Sequence, residues 1–275
     1  MPGKVKELIQ QINASHTHDN ITCVLADSLL SWAMEIAVDN QIKPASFVSF
    51  SATASVLISS IPKLIQDGII SHDGNFLPED LSCLKWLDGQ PANSVIYVAF
   101  GGHATFDQTQ FEQFALGLQL SNRPFLWVVR SDIADKLNIR GFQERVDSRG
   151  LIISWAPQQK VLKHPSIAHF FTHCGWSSVL EAITNGVPLL CWPFSDDHFL
   201  IEHYICNVRK VGLGFNREDG EVVTKEDVVS KSEELLSDGK YKANTLDLKE
   251  KLLNSIKQGG SSYNNFMAFV AWLKA

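Results

Sequence analysis

The sequence predicts an α/β protein built on doubly wound parallel sheets, one complete and one partial. Three observations carry this reading. Apolar runs of strand length alternate with helical patterns along most of the chain, the runs are continuous as strands buried on both faces must be, and turn-forming residues punctuate them. With 275 residues, 45% of them apolar and 20% charged, the chain suffices for one large domain or two modest ones, each with its own core.

In chain order, Val5 to Ile12 forms an amphipathic helical pattern, and the loop ASHTHDN leads into the strand ITCVLAD, which ends at Asp27. SWAMEIAVDN is helical, PASFVSF is a strand, and SATASVLISSIPKLIQDGI is a further helix ending at Gly68. Residues 1–73 are thus a partial unit of parallel βαβ type. The turn-rich SHDGNFLPEDLS opens a linker assigned to residues 74–93, in which LSCLKWLDGQPANS supplies a short helix. The unit from 94 to 250 is complete. Its strands are SVIYVAF, PFLWVVR, LIISW, IAHFFTH and VPLLCWP, with a short one near GLGF, and its helices are TQFEQFALGLQL, QKVLKH, SSVLEAITN and HFLIEHYICNV. Right-handed crossovers make these a doubly wound sheet, and the tail from Thr224 is mostly helical.

Charge and cysteine content exclude several classes. A net charge of −6 without a basic block speaks against nucleic acid. Cys23, Cys83, Cys174, Cys191 and Cys206 are odd in number and form no CxxC pair, which points to a reducing compartment and hence the cytoplasm. The N-terminal pattern is not a signal peptide, and no apolar run approaches the ~20 residues of a membrane span. No metal is expected. His169 and His173, four apart on a strand, have Cα atoms ~13 Å apart, and His198 and His203, five apart on a helix, face different directions.

The chemistry concentrates between Trp155 and His198, in WAPQQKVLKHPSIAHFFTHCGWSSVLEAITNGVPLLCWPFSDDH. An apolar strand stops at His173, Cys174 and Gly175, and a helix begins near Trp176. This junction aims the free N–H groups of Trp176, Ser177 and Ser178 beyond the strand end, where a diphosphate is the natural guest. His173 adds a side-chain donor, and Gly175 has no Cβ to hold a ligand off. Further along the helix, Glu181 can accept two hydrogen bonds from a ribose diol. Upstream, Trp155 offers a flat face to a base at a strand end marked by Pro157, and downstream Asp197 and His198 can read sugar hydroxyls.

From WAPQ through HCGW, the glutamate and GVP to the closing acidic pair, this stretch resembles the signature box of the plant family 1 UDP-dependent glycosyltransferases. The match keeps its register over forty-four residues and continues into SVIYVAFGG, PFLWVVR and GGSSYNNF. The resemblance implies a GT-B-like architecture, with a Rossmann-like donor domain and a partial acceptor-side domain. It implies that residues 251–275 are a closing helix returning toward the first domain. The implied activity is transfer of a hexose from a UDP-sugar, UDP-glucose or UDP-galactose, to a hydroxyl of a small lipophilic acceptor with inversion. Trp155, Ala156, Gln158, His173, Gly175, Trp176, Ser177, Ser178, Glu181, Asp197 and His198 would bind the donor, in a monomer with neither metal nor permanent cofactor.

Several positions depart from the family pattern. Ser177 stands where asparagine is usual, and Gly102 where the loop usually has Ser or Thr, so two side-chain contacts near the phosphates are lost. The box closes on Asp197-His198 rather than Asp-Gln, and the family associates this histidine with donors whose 4-hydroxyl is axial, such as UDP-galactose. The resemblance begins partway into the acceptor domain. Asp27 matches the aspartate that orients the general-base histidine, but that histidine has no counterpart before Met1, and His16 and His18 lie at the wrong end of the strand. A second gap falls near Gly74. His103, in FGGHAT, sits at the ligand-facing edge of the donor domain. The alternative is therefore a catalytically impaired remnant that binds UDP-sugar or a partner without turnover.

Overall fold

The computed structural model describes residues 2–14, 21–27, 30–47, 81–102, 107–130, 139–146, 149–195, 197–215 and 221–274. The expected helix over 51–68, the turn-rich start of the linker, and His16, His18 and His103 lie outside them. The chain divides into two compact units, Met1–Ser71 with Leu253–Ala275, and His72–Leu252.

In the first unit, α1 (Pro2–Ala14) precedes β1 (Cys23–Asp27), α2 (Ser31–Asp39) and β2 (Lys43–Phe47). The two strands pair in parallel from Cys23 opposite Lys43 to Asp27 opposite Phe47. Ile9 of α1 joins Ile36, Ala37 and Ile42 in a small buried cluster, because the apolar stripes of both helices face one another across it. Helix α2 ends where Gln41 turns left-handed at φ 57°, and this lets the Ile42 N–H bond back to the Ala37 carbonyl.

The second unit begins with α3 (Ser82–Asp88) and continues as β3 (Val95–Ala99), α4 (Gln108–Leu120), β4 (Phe125–Val128), α5 (Ile139–Val146) and β5 (Gly150–Ile153). It then runs through α6 (Gln158–Lys163), β6 (Ile167–Thr172), α7 (Trp176–Asn185), β7 (Leu189–Cys191), α8 (His198–His203) and β8 (Gly212–Gly214), and closes with α9 (Lys225–Ser237) and α10 (Gly239–Ile256), of which the residues up to Leu252 belong to this unit. All six strands are parallel, in the order β5-β4-β3-β6-β7-β8. Every residue of β3 and β6 is buried, as the continuous apolar runs require. One face carries Val98, Phe114, Trp127, Phe142 and Phe171, and the other carries Leu87, Tyr97, Phe170, Val179 and Leu189. At ~1.5–3 kcal/mol for each large side chain buried, these two layers hold the sheet between its helices. The last helix, α11 (Ser261–Lys274), belongs to the first unit, where Trp272 accepts a hydrogen bond from Lys43 Nζ at its carbonyl and lies 5.5 Å beneath the same ammonium.

The structure differs from the sequence reading in two places. The run HFLIEHYICNV is not one α-helix, because α8 gives way at Tyr204 to a π-helical turn ending at Arg209. The widened turn lays Ile205 and Cys206 on the sheet before Lys210, left-handed at φ 53°, swings the chain into β8. Helix α5 leaves little mark in the sequence, since its apolar content is little more than Phe142 and Val146 on a charged segment, yet both are buried.

Candidate functional site

The strand order reverses between β3 and β6, so the crevice outside their carboxyl ends is where a sheet of this kind takes a ligand. Two loops meet there, one after Ala99 and the other after Thr172. Gly101 is left-handed at φ +72°, and a Cβ on it would lie 2.6 Å from Nε2 of His173. A Cβ on Gly175 would lie 2.5 Å from the same atom. The imidazole of His173 is therefore seated between two glycines, and neither position admits a side chain without moving the ring. The turn itself depends on Cys174, left-handed at φ 69°, whose N–H donates to Thr172 Oγ1 at 3.3 Å. The Cys174 thiol is fully buried, and burial pushes its pKa up, so it stays a neutral packing group.

Helix α7 starts at this turn with Gly175 as its N-cap, so no capping side chain takes the N–H groups of Trp176, Ser177 and Ser178. The helix dipole adds positive potential at the same point, and at the other end Gly186, left-handed at φ 74°, closes the helix. Across the mouth, the ring of His198 meets His173 edge-on, with centroids 4.9 Å apart. His198 Nδ1 accepts from the Ser195 N–H at 3.4 Å, which assigns the proton to Nε2. Asp197 is buried as the N-cap residue of α8.

The opposite end of the crevice is built from α6 and α7. Trp155 is 39% exposed, an uncommon state for so large an apolar surface, while Ala156 beside it is buried. Gln158 Nε2 donates to Glu181 Oε2 at 2.7 Å and to Ser178 Oγ at 3.0 Å, and Gln158 Oε1 accepts from the Tyr97 hydroxyl at 3.2 Å. Gln159 Nε2 reaches Glu181 Oε1 at 3.4 Å. The sequence places Tyr97 within the strand SVIYVAF and Gln159 at the start of the helix QKVLKH, and gives neither a part in the site. The available signal was a phenol in the middle of a buried strand, which must find a partner for its hydroxyl. All the candidate donor residues from Trp155 to His198 lie in the second unit, whereas Asp27 ends β1 of the first. Among the described residues, no three of His, Cys, Asp or Glu converge as a metal site, and no helix is long and apolar enough to cross a membrane.

A doubly wound parallel sheet with an open, glycine-capped helix N-terminus at its switch point defines a nucleotide-binding α/β protein. The family model described as UDP-glucoronosyl and UDP-glucosyl transferase matches residues 66–252, and the chain belongs to that family. UDP-glycosyltransferase 83A1 of Arabidopsis thaliana is 31% identical over 369 residues, covering 100% of this chain and 78% of its own length. That alignment is longer than the chain, so the relative carries segments that this chain lacks. Seven further curated relatives are covered over only 37–49% of their length. Among solved structures, Os79 of O. sativa in complex with U2F and trichothecene is 25% identical, with 99% of this chain and 81% of that one superposed at a TM-score of 0.78. Phytolacca americana UGT2, complexed with UDP-2fluoro-glucose and pterostilbene, is also 25% identical, with 98% and 78% covered and a TM-score of 0.72.

Proposed function

We propose that this chain binds a UDP-sugar in the crevice outside β3 and β6 and transfers its hexose, with inversion, to a hydroxyl of a small lipophilic acceptor. The observation that carries the reading is His173, held between Gly101 and Gly175 at the uncapped start of α7. In that place an imidazole donor, three backbone N–H groups and a helix dipole converge on one point, and a diphosphate is the ligand that uses all of them. Uracil stacks on Trp155 with its edge toward the backbone of Ala156. The ribose diol meets Glu181 and Gln158, and the hexose meets Asp197 and His198. As the acceptor oxygen attacks the anomeric carbon, charge grows on the departing UDP, where His173 and the N–H groups of Trp176, Ser177 and Ser178 stabilise it. The UDP-2fluoro-glucose and pterostilbene bound to the Phytolacca relative support both halves of this assignment.

Calorimetry of UDP binding tests the donor half. Wild type binds UDP, and Trp155→Ala weakens it by roughly 1–3 kcal/mol, the usual loss when a base loses its aromatic platform. A folded wild type that does not bind, or a variant that binds equally well, removes the reading. UDP release from UDP-glucose or UDP-galactose with a panel of phenols and alcohols tests the transfer.

A further inference from the structure

Tyr97 lies in the middle of β3, fully buried and stacked on Phe170 with ring centroids 4.8 Å apart. A phenylalanine would fill that place equally well, so packing does not account for the hydroxyl. The hydroxyl donates to Oε1 of Gln158 at 3.2 Å. A side-chain amide has two faces, and this bond occupies its acceptor, so the Gln158 NH₂ must point the other way. There it donates to Ser178 Oγ and, at 2.7 Å, to Glu181 Oε2. With the amide reversed, Oε1 would face the Glu181 carboxylate, oxygen against oxygen. Among the described residues, Glu181 Oε1 keeps only the long 3.4 Å contact from Gln159, so it is the oxygen left to accept from an incoming diol.

We infer that Tyr97 is a positioning residue for ribose recognition, acting through Gln158 to hold Glu181 with one oxygen engaged and the other presented to the ribose hydroxyls. The inference rests on the donor site proposed above, and it adds a group that never touches the ligand. Burial, with smaller contributions from Cys83 and Glu181, pushes the phenol's pKa far above its ordinary range, so the hydroxyl keeps the proton it donates. The order of effects follows from geometry. Removing the hydroxyl leaves a half-buried amide oxygen without its donor, the amide gains a second orientation, and Glu181 loses its fixed rotamer.

The test compares calorimetric affinities for UDP and 2′-deoxy-UDP in wild type, Tyr97→Phe, Gln158→Ala and the double variant. Wild type should prefer UDP, and Tyr97→Phe should shrink the ratio of the two affinities about three- to ten-fold, the effect of one lost hydrogen bond, with binding of the deoxy ligand nearly unchanged. Gln158→Ala should shrink it at least as much, and adding Tyr97→Phe to it should change the ratio no further, because the two act in series. A purely structural role would lower the melting temperature or weaken both ligands alike and leave the ratio intact, and that result overturns the inference. Additive effects in the double variant overturn it as well. Failure of wild type to bind UDP removes the donor site itself, and the role of Tyr97 with it. Binding by wild type with no preference for UDP removes the ribose contact alone.

Discussion

His173 keeps its position because Gly101 and Gly175 on either side of it lack side chains, and under the donor reading proposed above His198 is the residue that varies what the site can read. The imidazole of His198 offers one donor and one acceptor, and its Nδ1 is already turned to the Ser195 N–H. A glutamine in its place would offer two donors and an acceptor at a longer reach. UDP-galactose should bind wild type several-fold more tightly than UDP-glucose, a difference of about one hydrogen bond, and His198→Gln should reverse the order. Calorimetry without acceptor reads this directly, and equal affinities in both proteins would take His198 out of sugar recognition. At this scale the sequence is informative where a residue type is unusual for its setting, as with Trp155 two residues ahead of Pro157. It is silent where the setting is made by another strand, as it is for Tyr97.

Secondary-structure elements were readable in proportion to their burial. The strands β3 and β6, buried at every position, announced themselves as unbroken apolar runs, whereas α5 and the π-helical turn after α8 depend on what the sheet offers them. The pairing of α4 with α9 illustrates the dependence. Helix α9 starts at a capping box in which Thr224 accepts from the Asp227 N–H and the Asp227 carboxylate accepts from the Thr224 N–H. Gln110 fixes its approach by bonding both the carbonyl and the N–H of Val223 at 3.0 Å. The helices can then close only because residue 117 is glycine, for a Cβ there would lie 2.6 Å from Val228 Cβ and 3.1 Å from the Lys225 carbonyl oxygen. Alanine improves helix propensity by about 1 kcal/mol, but it must push a stiff β-branched side chain and a backbone atom apart. The clash should win, and Gly117→Ala should destabilise the chain by about 1–2 kcal/mol in urea unfolding. A stabilised variant would show that α9 can shift freely on α4.

At the scale of the whole molecule, the buried His169 ties stability to pH. Both of its ring nitrogens lack a hydrogen-bond partner among the described residues, and burial first, then the positive charge of Arg123, push its pKa down to about 3. The unfolded chain takes up this proton near 6.5, while the folded chain does not until about 3. The folded state therefore has its full advantage above pH 6.5 and loses it steadily as pH falls toward 3, at about 1.4 kcal/mol per unit. Between pH 6.5 and 5, wild type should lose about 2 kcal/mol more unfolding free energy than His169→Leu, in which the orphaned polar group is also gone. Equal losses in urea titrations of the two proteins would acquit His169. The sequence alone determined the parallel α/β class, the strand-turn-helix junction at His173 and the line of candidate donor residues, because continuous burial and glycine-dependent turns leave their mark in local residue order. Only the tertiary structure decided the strand order and its switch point, the seating of His173 between glycines from two separate loops, and the link from Tyr97 through Gln158 to Glu181. Each of these is a contact between segments far apart in the chain, set by how the strands pair, and no local pattern records it.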